Sequence, residues 1–490
     1  MRNVIDEKIS AHDAAQLELR QPLPFPEPGS ESHYTAETWF FIPASLNINR
    51  YTFPKSHFYR ALKNYIRLQA PKIPLAKLTG PGSVFELVEE RLAALPNPFD
   101  DGRLTDEERH FLSRLERRAK LFCLSFKQAM HDEAKDAMTR ADIAAMDRFV
   151  ARVDAILDAV WKLGDFFAGE SPAFLSPLKE YCGNAAEYRC LVLLRYLQRQ
   201  EENDDARRVA VAIEELIRKD EARRRDLSPD AVASLGGENE AFMGRLNTLK
   251  KYVNRPLFLE IHSRKEGKLI QHVAYSIAAA LAMIFATLIA FLWQAKYGAI
   301  SLPLFVALVI SYIFKDRLKD ILRDYMTNLF ARRVSDRSLS IYQGNSSIGT
   351  CRELFDFLEI RHLSPEIKVL REVAGSDLPF FTAAEEIMYY RKRIVLSRGS
   401  TEGIDTRGIL DITRLNLSEL ARNMDGNAEK LLALEVTESG PHCRLASGIK
   451  TYPVFIVRRH TYDGAQSYTM FRLVMDHTGV RRFEKMHGEG

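Results

Sequence analysis

The sequence predicts an α+β membrane protein: a two-span transmembrane helical hairpin, an N-terminal mainly helical cytoplasmic region, and a C-terminal α+β cytoplasmic domain with an antiparallel sheet. Three observations carry this. Val273–Trp293 is an apolar run of about 21 residues without a formal charge, long enough as a helix to cross a ~30 Å hydrocarbon core. A second apolar run, Ile300–Phe314, follows after only QAKYGA. Outside the pair, residues 105 to 255 carry helical periodicity, and the last ~150 residues carry strand-like runs.

Residues 1–33 read as a flexible lead-in. QPLPFPEPGS at 21–30 holds four prolines, which favour extended, unpacked backbone. A mainly helical cytoplasmic domain is expected over 34–255, opening with a short strand unit at TWFFIPASL. After Pro54, the spacing of Phe58, Leu62, Tyr65, Ile66 and Leu68 predicts a helix with one apolar face. Ser83 is a helix cap, and Thr105 with Glu108 forms the T-x-x-E capping signature of a long helix. Further helices are expected over 141–163, 185–199, 206–225 and 240–253. In the first of these, Phe149, Val153, Ile156, Leu157 and Val160 mark a buried stripe. Together they predict an antiparallel bundle of about five helices.

The hairpin occupies 269–314, with spans at about 273–293 and 297–314. The second run is short for a span, but Tyr297 and Ala299 extend its start, and Pro303 falls in the first turn, where a missing N–H costs little. Basic residues flank both ends (Lys250, Lys251, Arg255, Arg264, Lys265 and Lys268 before; Lys315, Arg317, Lys319, Arg323, Arg332 and Arg333 after), whereas the connecting loop carries Lys296 alone. Positive charge stays on the cytoplasmic side, so both termini are expected inside, in a multi-pass protein of an inner or plasma membrane. Trp293, Tyr297 and Tyr312 are the expected interfacial anchors, and Gln271 with His272 the polar residues at the cytoplasmic mouth. Small residues at Ala278–Ala282 suit close helix contact.

Residues 315–334 read as an amphipathic juxtamembrane helix. Leu318, Leu322, Tyr325 and Leu329 lie on its apolar stripe, a candidate partner-binding face. The α+β domain fills 335–490: RSLSIYQG, EIMYYRKRIVL, YPVFIVRRH, SYTMFRLVMD and VRRFEKM read as strands, with YDGAQ and DHTG as turns. Thr350 with Glu353 is expected to start a short helix near CRELFDFLEI, and NLSELARNMD reads as another.

No catalytic, cofactor or metal constellation is expected. GNSSIGTC at 344–351 has Thr350 where a phosphate loop needs lysine, so it reads as a strand-to-helix turn. His442, Cys443, His460 and His477 lack metal-ligand spacing, and Asp463 and Asp476 sit at turns. Five scattered cysteines fit reduced thiols, and no h-region marks a secretory signal at the N-terminus. A net charge of +4 with 27% charged residues gives no nucleic-acid signature. The expected partners are the lipid bilayer and either a second copy or another protein. The leading functional reading is a non-enzymatic scaffold, regulator or subunit of a membrane-associated complex. A membrane-tethered enzyme with no motif-level site, and an oligomeric channel or transport component, are the alternatives.

Overall fold

In the computed structural model, residues 7–97, 99–200, 203–264, 267–297, 302–331, 335–344, 346–374, 385–397, 407–426, 428–437 and 440–486 are described. The chain opens with strands β1 (Lys8–Asp13), β2 (Gln16–Pro24) and β3 (Glu31–Pro43), then α1 (Lys55–Ala61) and β4 (Leu62–Leu68). A run of helices follows: α2 (Val84–Ala93), α3 (Asp106–Arg140), α4 (Ile143–Lys162), α5 (Leu175–Leu197), α6 (Asp204–Leu227) and α7 (Glu240–Asn254). Strand β5 (Glu260–Arg264) leads into α8 (Gly267–Tyr297) and α9 (Leu302–Ala331). The remainder is β6 (Arg337–Gln343), β7 (Ser346–Leu358), α10 (Pro365–Ala374), β8 (Glu385–Ser397), β9 (Gly408–Asn416) and α11 (Ser418–Arg422), then β10 (Ala428–Thr437), β11 (Gly440–Ile449), β12 (Tyr452–Tyr462), β13 (Ala465–Asp476) and β14 (Gly479–Met486).

These elements form two compact units. Leu68–Phe258 is essentially one; the strands before it and the elements after it are the other. The domain boundaries read from the sequence are therefore corrected, because the sheet unit is discontinuous. Its larger sheet has strand order β14-β13-β12-β3-β8-β7-β6-β5, antiparallel throughout, and its smaller one β1-β2-β9-β4. The N-terminal β3 sits between β8 and β12, where Trp39 pairs with Tyr389 and Val457. Its run of apolar residues has a physical cause: both faces are covered. Phe40 and Ile42 pack toward the smaller sheet, and Trp39 and Phe41 toward the opposite core, which α10 reaches through Ile367.

Residues 7–33 are not a loose lead-in. Pro22 and Pro24 belong to β2, opposite Leu410 and Gly408 of β9. β1 pairs with β2 only from Gln16 to Arg20, so both prolines lie where β2 has one neighbour, the setting in which a strand accommodates proline. Gly408 is needed there, because a Cβ would lie 2.0 Å from the Leu23 carbonyl oxygen. The helix expected from Pro54 to Leu68 stops at Ala61 and gives way to β4. The expected helix at Thr350–Glu353 is also corrected: both residues lie in β7, and Gly344 makes a strand-to-strand turn with φ 57°. Glu353 does not cap a helix; it accepts from the Tyr390 hydroxyl at 2.8 Å. NLSELARNMD does contain a helix, α11.

In the helical unit the caps are made as the sequence indicates. Ser83 Oγ accepts from the Glu86 N–H, and Thr105 with Glu108 completes a capping box. Helix α5 begins ten residues before the expected start, at Leu175, with Pro177 accommodated in its first turn. The buried centre carries a charged network. The fully buried Arg224 donates to Asp220 at 2.7 Å, to Asn184 at 2.9 Å and to the Ala231 carbonyl at 3.0 Å, and also to Glu187. Trp161 Nε1 donates to the other Asp220 oxygen at 2.9 Å. Gly183 makes room for that carboxylate, since a Cβ would approach it to 2.4 Å. Cys123 and Cys182 lie sulfur to sulfur at 3.4 Å as buried free thiols; the hydrogen bond from Cys182 to Cys123, together with burial, pushes the Cys182 thiol upward.

Candidate functional site

Two places in the sheet unit concentrate unusual chemistry: a polar zone between its sheets and the α8–α9 pair. The polar zone follows from strand alternation. On β8, Met388 and Tyr390 face the smaller sheet and Lys392 continues that row; on β12, Val454 and Ile456 are followed by Arg458 and His460. Lys392 donates to Asp411 at 2.7 Å, to Thr413 at 3.0 Å and to Asn64 at 3.2 Å. Burial works against the Lys392 ammonium, but Asp411, by charge and hydrogen bond, together with neighbouring Cys351 and Glu353 holds the pKa above its ordinary value. Arg458 pairs with Glu7 at 2.9 Å, and His460 Nε2 lies 2.8 Å from the same carboxyl. Burial alone would raise Glu7; Arg458 and His460 bring it below the usual carboxylate range.

Gln21, Thr38, Lys392, Asp411, Thr413 and Arg458 help line a cavity of about 20 Å³, room for one water molecule. Paired charges around a water-sized space hold two sheets together; they offer no room for a substrate. His460, flagged in the sequence, is thus a sheet-lining residue, while His442 and Cys443 of β11 and His477 in the β13–β14 turn are exposed and apart from it. Among the described residues, no group of three or more His, Cys, Asp or Glu is arranged to hold a metal. Glu7, Lys392 and Asp411 were not singled out from sequence; the usable signal was charge falling on the inward parity of otherwise apolar strands.

The α8–α9 pair differs in kind. It is the connection between β5 and β6, which pair with each other at Arg264↔Ser338, so α8 leaves and α9 returns at the same end of one antiparallel ladder. Within the pair, Ser311 Oγ lies 3.5 Å from the Ala286 carbonyl oxygen, and the Arg323 guanidinium lies 4.1 Å from the centre of the Tyr275 ring. Those two contacts set an antiparallel register. Ala278 and Ala282 are the buried positions among the described residues of α8, allowing close approach of the helices. On α9, Ser311, Leu318, Leu322 and Met326 share the covered face.

The rest is bare. In α8, Met283, Ile284, Phe291 and Leu292 are 58–65% exposed. Among the described residues, Tyr275–Lys296 is the one helical stretch long and apolar enough to cross a membrane by length and composition, and 11% of its most apolar window is buried. Phe285, Ile289, Trp293, Leu302, Val306 and Phe314 line an apolar groove along the outer half of the pair.

The structure distributes the residues named from sequence as follows. Trp293 and Tyr312 are exposed; Trp293 lies near the turn, and the register sets Tyr312 level with Phe285, midway along the apolar run of α8. Tyr297 ends α8 and Gln271 lies in its first turns, but their side chains are outside the described residues. His272 is exposed, with its ring edge-on to Tyr275. The stripe expected on a separate juxtamembrane helix belongs instead to the continuous α9; Leu318 and Leu322 are half-buried on the α8-facing side, Tyr325 is exposed, and the Leu329 side chain is outside the described residues. Sequence reading placed the stripe correctly on a helix but missed that α8 already covers part of it. Comparison with models of known families, with curated proteins and with solved structures finds no match.

Proposed function

We propose that this chain is a membrane-anchored protein in which α8 and α9 enter the bilayer and the two globular units lie on one face of it, working by interaction with partners. The carrying observation is the bare apolar surface of α8, where Met283, Ile284, Leu288, Phe291 and Leu292 are more than half exposed. A contiguous exposed apolar surface is the kind that marks contact with a membrane or with another protein. Lipid would cover it without further protein.

Two features support the same orientation. Both helix ends join the β5–β6 ladder at one end, so an α8 that crosses the bilayer requires α9 to bring the chain back. The flanks are basic and the turn carries Lys296 alone, which favours an inner or plasma membrane with both termini cytoplasmic. The role is scaffold, regulator or subunit: the charged groups gathered inside the sheet unit are paired, Lys392 with Asp411 and Arg458 with Glu7, around a space for a single water, an arrangement suited to rigidity. The test is extraction of membranes from cells expressing the full chain. Retention through an alkaline carbonate wash, with release by mild detergent, is the expected result; release by carbonate alone contradicts the anchor.

A further inference from the structure

The helical pair is unequal in a way that calls for a second copy of the chain. At 1.5 Å per residue, Val273–Trp293 of α8 is about 31 Å of apolar helix, whereas Leu302–Phe314 of α9 is only about 20 Å. The register set by Ser311 with Ala286 and Arg323 with Tyr275 then places Lys315–Asp324 of α9 level with Tyr275–Met283 of α8. A charged helix segment therefore runs beside an apolar one whose Val273, Ile277, Leu281 and Met283 are exposed. Lipid suits the second and not the first.

The charges are patterned. Lys315, Lys319 and Arg323 recur every four residues, and Asp316, Asp320 and Asp324 recur in the adjacent row, one residue further on. Rows at this spacing run along one side of a helix. Asp316, Lys319, Asp320 and Asp324 are exposed on the side of α9 away from the Ser311–Leu318–Leu322 face that meets α8; Lys315 is half-buried at the edge of that face, and the exposed Arg323 reaches the Tyr275 ring of α8. Under a two-fold axis parallel to the helices, the basic row of one copy faces the acidic row of the other, and the reverse. A stripe of this kind is complementary to itself, the condition for an isologous dimer contact. It also lets opposite charges neutralise one another at a depth where each alone is costly.

We infer that the α9 rows Lys315/Lys319/Arg323 and Asp316/Asp320/Asp324 form the seam of a parallel homodimer, with the apolar face of α8 turned to lipid. This rests on the membrane anchor proposed above. The seam differs from the apolar stripe at Leu318 and Leu322, which the hairpin itself uses.

The experiment is the native mass of the full chain extracted in mild detergent. The wild type should be a dimer. An all-basic variant (Asp316→Lys, Asp320→Lys, Asp324→Lys) and an all-acidic one (Lys315→Glu, Lys319→Glu, Arg323→Glu) should each be monomeric, and co-expression should give the mixed dimer in at least tenfold excess over either homodimer. Recovery of dimer by mixing cannot come from misfolded chains. Wild-type monomers that still require detergent would overturn the seam and leave the anchor standing, as would variants that dimerise like the wild type. Wild-type chains released by alkaline carbonate would overturn the anchor and the seam with it.

Discussion

Helix α4 and helix α8 carry their apolar residues to opposite ends. In α4, Met146, Phe149, Val150, Val153, Ile156, Leu157 and Val160 are all 3% exposed or less, and the polar residues between them face outward. In α8 the apolar residues go all the way round, and only the small Ala278 and Ala282 are buried among those described. One helix has a single stripe because only one of its sides meets protein. The other is apolar on every side because no side was selected to meet water. Period separates the two, and so does charge: α4 carries Asp147, Arg148, Arg152, Asp154, Asp158 and Lys162, whereas Val273–Trp293 carries no formal charge.

The comparison can be broken most decisively by removing the helical pair. Replacing residues 265–336 with a short Asn-Gly turn should let β5 and β6 close as an ordinary hairpin, and the product should move from the membrane pellet to the soluble fraction. A product that stays with the membrane would mean that another surface anchors the chain. Next in size are changes inside the helical unit. Phe149→Ala should cost roughly 3–5 kcal/mol in chemical unfolding, whereas Phe291→Ala on the bare face of α8 should change stability by less than about 0.5 kcal/mol. Equal effects at the two positions would erase the distinction between the helices. Asp220→Asn should cost about 3 kcal/mol, toward the lower end for breaking a buried ion pair, because Glu187 still faces Arg224. An unchanged unfolding midpoint would show that the network contributes nothing.

Much of this was legible in the chain. The caps at Ser83 and Thr105 and the stripe of α4 are local signals, and local signals survive folding. Tertiary pairing supplied what was not legible. Leu62, Ile66 and Leu68 fit a helical spacing with Phe58, but over seven residues the same positions also fit a strand's alternation, and the β9 neighbour selects the strand. β3 pairs with strands that lie more than 340 residues away in sequence, so its unit could not be assigned from its surroundings. The candidate seam was half visible: the four-residue charge rhythm of α9 is in the sequence, but its level beside apolar α8 depends on the register between the helices.

A smaller effect sharpens the account of the sheet unit. Asp476 accepts from the Thr478 N–H at 2.8 Å and from Arg481 at 2.6 Å, holding the β13–β14 turn. Burial by itself would raise its pKa; the Thr478 and Arg481 bonds more than offset that and bring it from 3.8 to about 2. A depressed carboxylate stabilises the fold fully above its unfolded value, and that contribution disappears as pH falls from about 4 through about 2. It amounts to about 2 kcal/mol. Asp476→Asn should flatten this part of the acid-unfolding profile, and an identical profile would remove the assignment.

The most direct test of the anchor itself is the accessibility of the α8–α9 turn. In a Cys443→Ser background, whose remaining cysteines are buried, Lys296→Cys places one reactive thiol at the end of α8. In intact cells expressing the chain, this thiol should react with a membrane-impermeant maleimide added outside. Labelling only after the cells are broken would place the turn on the same side as the globular units and contradict the crossing.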